Sequence, residues 1–442
     1  MDPFKAISLF LGIQDVHFRD IRVHRKARHV VFIGEYKAHE YFCRHCGENL
    51  GKKHDLQDRQ LRLPAMGVFE KVSMTLYVPR AHCQGCNRDT QAFVPWIHPK
   101  FESVTCGFAE VAGRLMEETT CAAVSRITHS NAKKLWSIDQ YRMQVMLERL
   151  RLPDDVDLSF LSADEVHYKT IRFGKNRGIA QPRWEALFIT NLVSYKDGKV
   201  LYNASGRSSE ALDQCFNVLS LGQRMSVEMF AVDMHDPFIS SARKNLPNAK
   251  ICVDRFHLAL AVNKSFDEVR KTELRRAKEN KDMFEENMLS ASNKFILVER
   301  KKDLTKREIK WLDKLRFYNT RIHNGMLLVE TFHLMLDLRT TEKFRKAMVN
   351  WLLLVRESKL KPFIKLAALL RRYRTNIEAY IKSRLTTAVS EGLNNKIKVL
   401  KRVGYGYPNL ISFRRKILQR CGYLNHHYIN TEDFYYRMPI PK

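Results

Sequence analysis

Val227-Glu-Met-Phe-Ala-Val-Asp233 is a short apolar run that ends on a carboxylate. A second run, Leu161-Ser-Ala-Asp164, inside the segment Phe160 to Val166, ends the same way. Short apolar runs of this kind read as buried strands. An acid at a strand end is carried to the sheet edge, where ligands bind. Strand-like segments also fall at Ala186 to Tyr195 and at Val200 to Ala204, and Ser208 to Leu219 has helical spacing. Together they predict a mixed sheet with covering helices.

Outward from this core the pattern changes in four flanking regions. Residues 1–100 are strand-like, with alternating segments such as Val30 to Ile33 and Lys71 to Val78, broken by glycines and paired cysteines. Residues 102–150 carry apolar side chains at helical spacing, with a Ser130-Asn131 break. From His257 to Arg384 the chain is almost wholly helical in pattern and rich in Lys, Arg, Glu and Leu, so it reads as an insertion. After Thr386 a helix is followed by the turn Gly404-Tyr-Gly-Tyr407. The fold class that follows is multidomain α+β.

The chain has 442 residues, 76 Lys plus Arg against 48 Asp plus Glu, a formal charge of +28 and a pI near 9.8. That excess favours a polyanionic partner, although a solvated basic surface has the same composition. The densest apolar run, Trp351 to Val355, falls far short of the ~20 residues a membrane span needs, so no membrane role is expected. The N-terminal Met1-Asp-Pro-Phe-Lys has no basic start or small-residue cleavage site of a secretory signal. An intracellular, reducing compartment is therefore expected, in which nine cysteines do not build a disulfide framework.

Four of those cysteines form two Cys-x-x-Cys pairs, Cys43 with Cys46 and Cys83 with Cys86. Each pair can bring two thiolates to one ion, and a tetrahedral zinc site needs four. One structural Zn²⁺ is expected, with Gly47 and Gly85 permitting the tight turns. Such a site folds a small domain whose basic residues Arg59, Arg62 and Arg80 can face DNA phosphates. Further along, Thr119 to His129 and Ala132 to Met143 have the form of two helices joined by a short turn. A helix-turn-helix would present Asn131, Lys133, Lys134, Ser137 and Gln140 to the major groove, and a plain helical hairpin has the same spacing.

A third carboxylate, Glu391, opens a helix-like stretch after the insertion. With Asp164 and Asp233 it supplies the hard oxygen ligands that Mg²⁺ requires. Two Mg²⁺ ions, with Mn²⁺ able to substitute, would activate an attacking oxygen and stabilise a leaving one at phosphorus. The alternative is that each acid is a cap or turn residue, Asp233 preceding a helix that begins near His235. Glu165 and Asp236 are neighbouring competitors, and strand alternation sends Glu165 to the face opposite Asp164.

At this point the motifs resemble a known family, the ISL-three group of bacterial insertion-sequence transposases, from about Cys43 to Cys421. The carrying residues are the two cysteine pairs, Asp164-Glu165, Ala231-Val-Asp233, Val253-Asp-Arg-Phe-His257 and the long segment Ser390-Glu-Gly-Leu-Asn-Asn-Lys-Ile-Lys-Val-Leu-Lys-Arg-Val-Gly-Tyr-Gly-Tyr407. The resemblance implies a four-cysteine zinc-binding DNA-binding domain over 1–100 and a helix-turn-helix over 101–155. It also implies an RNase H-like catalytic core over 156–257 and 386–425, interrupted by a helical insertion over 258–385. The tail 426–442, with Tyr428, Tyr435 and Tyr436, falls outside it. The implied triad is Asp164, Asp233 and Glu391, with Asp254 and His257 in support.

Between residues 391 and 420 the bases Lys396, Lys398, Lys401, Arg402, Arg414, Arg415, Lys416 and Arg420 face a single acid, Glu391. This strip suits a DNA backbone, with Tyr405 and Tyr407 available for stacking. The function implied is a DDE transposase that binds the terminal inverted repeats of its element, hydrolyses each end and joins the 3′-hydroxyls to target DNA. Paired ends imply a homodimer or higher oligomer on double-stranded DNA, in a bacterial cytoplasm at the nucleoid. The alternative from another class is a catalytically inactive zinc-dependent repressor, which would bind DNA without magnesium-dependent cleavage.

Overall fold

The computed structural model describes residues 3–173, 183–290, 293, 296–297 and 305–429. The expected tail beyond Ile429, including Tyr435 and Tyr436, lies outside the described residues. The chain divides into two compact units, one of residues 1–154 with the segment from Ile397 onward, the other Asp155–Lys396. Among the described residues it is mixed α+β, with two five-stranded sheets.

The first unit opens with helix α1 (Pro3–Leu11) and a sheet of β1 (Val16–His24), β2 (His29–Tyr36), β3 (Asp55–Leu63), β4 (Lys71–Cys83) and β5 (Arg88–Gln91). Their order is β1-β2-β4-β3, with β5 added to β4. The longest strand of this sheet, β4, alternates from Lys71 to Val78, burying Val72, Met74, Leu76 and Val78 in the domain core. Helices α2 (Cys106–Glu118), α3 (Cys121–Thr128) and α4 (Ala132–Glu148) follow, each opened by a polar cap: Thr105, Thr120 and Asn131 accept backbone N–H bonds at its start. His129, in the left-handed region at φ 47°, closes α3 and turns the chain into α4, where sequence spacing expects the break.

The second unit is built on β6 (Phe160–Phe173), β7 (Arg183–Ser194), β8 (Lys199–Ser205), β9 (Met229–Val232) and β10 (Lys250–Val253), in the order β10-β9-β6-β7-β8. β6, β7 and β8 form an antiparallel meander, while β9 and β10 run parallel to β6. Helices α5 (Ser209–Phe216) and α6 (Leu221–Met225) lie between β8 and β9, and α7 (Asp236–Asn245) joins β9 to β10. α5 packs on β7 and β8, and α7 on β9 and β10. Among the described residues the expected helical stretch includes α8 (Arg255–Glu279), α9 (Met283–Met288), α10 (Lys306–Tyr318), α11 (Thr320–Asp337), α12 (Thr341–Ser358), α13 (Lys361–Arg372) and α14 (Arg374–Ser383). Its own core includes Phe266, Phe332, Phe344, Trp351 and Phe363, all essentially buried. α14 packs back against β10.

Helix α15 (Ala388–Val403) begins in this unit and the unit boundary falls within it; α16 (Leu410–Cys421) belongs to the first unit. There it is tied to α2 and α4 by buried polar groups. Lys416 Nζ donates to Met116 O at 2.7 Å, Gln419 Oε1 at 2.6 Å and Asp139 Oδ2 at 3.2 Å. Arg142, whose side chain is wholly buried, bridges Glu117 at 2.5 Å and Glu110 at 3.2 Å, and His426 closes on the same Glu117. Each charge in the group has an opposite, which is what its burial requires.

Candidate active site and metal centre

In the first unit, Cys43, Cys46, Cys83 and Cys86 are gathered so that all four Sγ atoms lie within 4.8 Å of one another. Cys43 and Cys86 are 3.7 Å apart, Cys46 and Cys83 3.5 Å. A zinc tetrahedron with Zn–S of about 2.3 Å has edges of about 3.8 Å, so the donor set fits that ion. The first pair sits on a tight turn in which Gly47 N donates to Cys43 O and Gly47 takes φ 79°. Gly85 is close-packed instead: an added Cβ would stand 3.3 Å from Glu48 and 3.5 Å from Cys46 Sγ. The thiols share their protons unequally: against its burial, the Cys86 backbone N–H and the neighbouring thiols bring Cys83 down to about 7, while burial and the same neighbours push Cys86 up to about 12. A thiol that ionises near neutrality is ready to ligate.

In the second unit, the parallel pairing of β6 with β9 sets Ser162 opposite Ala231. Two residues on, Asp164 lies within β6, where it pairs with Asn191 of β7, and Asp233 directly follows the end of β9, near enough for its charge to act on Asp164. Burial pushes the Asp164 carboxyl up to about 6; the Glu165 N–H and the charge of His257 oppose this, and the charges of Glu165 and Asp233 add to it. Asp233 is also raised, chiefly by burial, against the charges of His257, His235 and Arg207. Asp233 Oδ1 and Glu165 Oε2 are inaccessible and have no hydrogen-bond partner. Unpartnered carboxylate oxygens beside a desolvated third acid are what a hard divalent cation relieves.

Glu165 departs from strict alternation in its effect. Its carboxyl is raised by burial and by Asp233, and lies 3.6 Å from Arg207, so it shares the field of the site although strand geometry turns it away from Asp164. The capping alternative for Asp233 is not realised: the residue at the N-cap of α7 is His235, and no side chain caps there. Asp254 stands at the N-cap of α8 without capping it; its carboxylate accepts the Thr387 hydroxyl at 2.5 Å. His257, in the first turn of α8, is near enough to bias both aspartates. Glu391 is exposed in the first turn of α15, and that turn is fastened to β6 by Ser390 Oγ to Ser162 Oγ at 2.5 Å and by Asn394 Nδ2 to Asp164 Oδ2 at 2.6 Å.

Several residues singled out for DNA have partners within the protein, some buried and some at the surface. Arg62 donates to Thr128 O at 2.6 Å and Glu70 O at 3.1 Å, joining β3 to the end of α3. Arg59 pairs with Glu102 at 3.1 Å, and Arg80 with Asp55 at 2.8 Å. Asn131 caps α4, Lys134 reaches Ser103 at 2.5 Å, the Gln140 amide is buried, and Lys416 is buried as described. Lys133, Lys396, Lys398 and Arg402 are exposed, and Lys401, Arg414 and Arg415 partly so. A polar groove of about 880 Å³ in the first unit brings Arg44, Arg59, Arg80, Lys100 and Lys134 together, a set in which only some members stood out by sequence.

The model of an ISL3-type transposase family, DDE_Tnp_ISL3, described as Transposase, matches residues 180–417. The chain belongs to this family. The match includes Asp233 and Glu391, while Asp164 and the four cysteines lie upstream of it. Over longer spans the chain is 24% identical to the transposase for insertion sequence element IS1001 of Bordetella parapertussis, across 85% of this chain and 87% of that protein. It is 22% identical to the transposase for IS1557 of Mycobacterium tuberculosis, across 89% of both. No helix among the described residues is long and apolar enough to cross a membrane.

Proposed function

We propose that this ISL3-type transposase binds the terminal inverted repeats of its element, hydrolyses the phosphodiester at each end and joins the freed 3′-hydroxyls to target DNA. The observation that carries the proposal is the pair of Asp164 within β6 and Asp233 just past the end of the adjacent parallel β9, both desolvated, with Asp233 Oδ1 lacking any partner. A sheet of three antiparallel and two parallel strands flanked by helices supports the RNase H-like reading of this unit.

Asp164, Asp233 and Glu391 would hold two Mg²⁺ ions, which supply activation of the attacking oxygen and stabilisation of the leaving one. The protein's own part is positional. Strand register fixes the two aspartates, α15 brings Glu391 from a distant part of the chain, and His257 and Arg207 offset the negative charge that would otherwise repel a phosphate. The four cysteines would hold one structural Zn²⁺ that organises the β domain. DNA binding falls to the first unit, with the α3–α4 pair acting as a helix-turn-helix and with the exposed bases of α15 contributing backbone contacts. Joining two ends at once calls for at least a dimer on DNA, in the bacterial cytoplasm at the nucleoid.

The test is cleavage of labelled DNA carrying the element's ends, with and without Mg²⁺, by wild type and Asp233→Asn. Cleavage at the junction should fall by roughly a thousandfold or more in the variant, with end binding retained. End binding by the wild type without any cleavage would instead favour a repressor.

A further inference from the structure

Two polar pairs fasten α15 to β6, and their spacings agree. Ser162 and Asp164 are two residues apart on the strand, about 6.6 Å along it. Their partners Ser390 and Asn394 are four residues apart on the helix, about 6 Å along it. The contacts are 2.5 Å for the hydroxyl pair and 2.6 Å for the amide and carboxylate. Ser162, Ser390 and Asn394 are 0%, 1% and 7% exposed, so the fastening is shielded from water. Two points at equal pitch forbid both sliding and rotation of the helix on the strand. Thr387, bonded to Asp254, anchors the residue just before the helix.

The chemistry of the second pair is directional. An ionised carboxylate only accepts, so the Asn394 amide must present its nitrogen. Asp164 Oδ2 then accepts from Asn394, and Oδ1 accepts from the Glu165 N–H at 2.8 Å, which fixes the plane of the carboxylate. Glu391 lies three residues before Asn394, on the neighbouring position of the same helical surface. One hydrogen bond therefore orients the first acid and sets the approach of the third.

We infer that Asn394 is a positioning residue for the metal site: its side chain aims Asp164 and registers Glu391 against it. The inference rests on the reading of these acids as divalent-metal ligands. Hydrogen bonds to a ligating carboxylate typically alter metal affinity by about 10- to 100-fold, which sets the expected size.

The experiment is a Mn²⁺ titration of the full-length, DNA-free protein, followed by electron paramagnetic resonance, with thermal unfolding measured in parallel without added Mn²⁺. Asn394→Ala should weaken the Asp233-dependent Mn²⁺ binding by about 10- to 100-fold. Ser390→Ala, which removes the other fastening without touching Asp164, should change that affinity less than about threefold while lowering stability comparably. Asn394→Leu keeps the side-chain volume and lacks the donor, and serves if alanine unfolds the helix. Wild-type Mn²⁺ affinity in a folded Asn394 variant overturns the inference. So does an equal loss in Ser390→Ala, which would make the effect one of helix seating alone. Failure of the wild type to show any binding that Asp233→Asn removes would sink the acidic metal site itself, and the inference with it.

Discussion

The thiol cluster and the acidic cluster are both candidate metal centres, and they are assembled differently. The four sulfurs already stand at the separations of a ligated tetrahedron, while Asp164, Asp233 and Glu391 form no comparably tight group among the described residues. Thiols can gather because neutral thiols do not repel and can share protons until an ion displaces them. Three carboxylates cannot ionise in contact without a cation. Their backbones are set instead, by strand register and by the fastening of α15, with Asp164 and Asp233 desolvated and Glu391 exposed. The thiol group is thus built closed, and the acidic group is left as separate carboxylates that a cation would have to draw together.

The largest expected effect breaks the closed side. Stripping zinc with a strong chelator should unfold the β domain, since such sites contribute about 10 kcal/mol or more of folding free energy. Circular dichroism and end binding should both collapse, while the unfolding transition of residues 155–396 persists. Survival of the β domain without metal would remove the contrast.

On the open side the expected effect is smaller and reversed in sign. Asp164 holds its proton more tightly folded than unfolded, about 6 against 3.8, so protonation favours the folded state. The stabilisation is present below about pH 4 and lost as pH rises through about 6. Asp164→Asn mimics the protonated form, so without divalent ions it should be more stable than wild type at pH 7 by about 1–3 kcal/mol. The gain should vanish by pH 4, and chemical denaturation at both pH values measures it. A destabilised variant at pH 7 would mean that the site is not strained by its charges. The smallest expected effect is Gly85→Ala, whose Cβ meets neighbours at 3.3 and 3.5 Å. It should lower the melting temperature by about a few degrees with zinc stoichiometry unchanged.

Much of this was legible in the sequence for local reasons. Paired cysteines declare a metal knuckle by spacing, and the apolar run before Asp233 declares both the strand and its end, whereas β6 runs on past Asp164 to Phe173 because its pairing with β7 continues. Other features depend on partners that a linear reading does not display. β10 is only four residues, Lys250–Val253, too short to show a period, and β3 leaves most of its side chains partly or fully exposed. Lys416 and Arg62 look like DNA contacts until the structure supplies Asp139 and the Thr128 carbonyl. Asn394 sits in plain view within the longest motif, but its donor role exists only because Asp164, 230 residues earlier, lies against it. The available signal was its spacing, one helical turn beyond both Ser390 and Glu391.

The buried bond from Lys416 to Asp139 spans 277 residues of chain. At a synthesis rate of ~5–20 residues per second, α4 emerges from the ribosome roughly 15 to 55 seconds before its partner on α16 exists. During that interval Asp139 has no cation, and Glu117 lacks the His426 that closes on it. The first unit therefore reaches its final form only after residues 155–396 have been made, and its last buried charges wait on a segment that the ribosome delivers at the end.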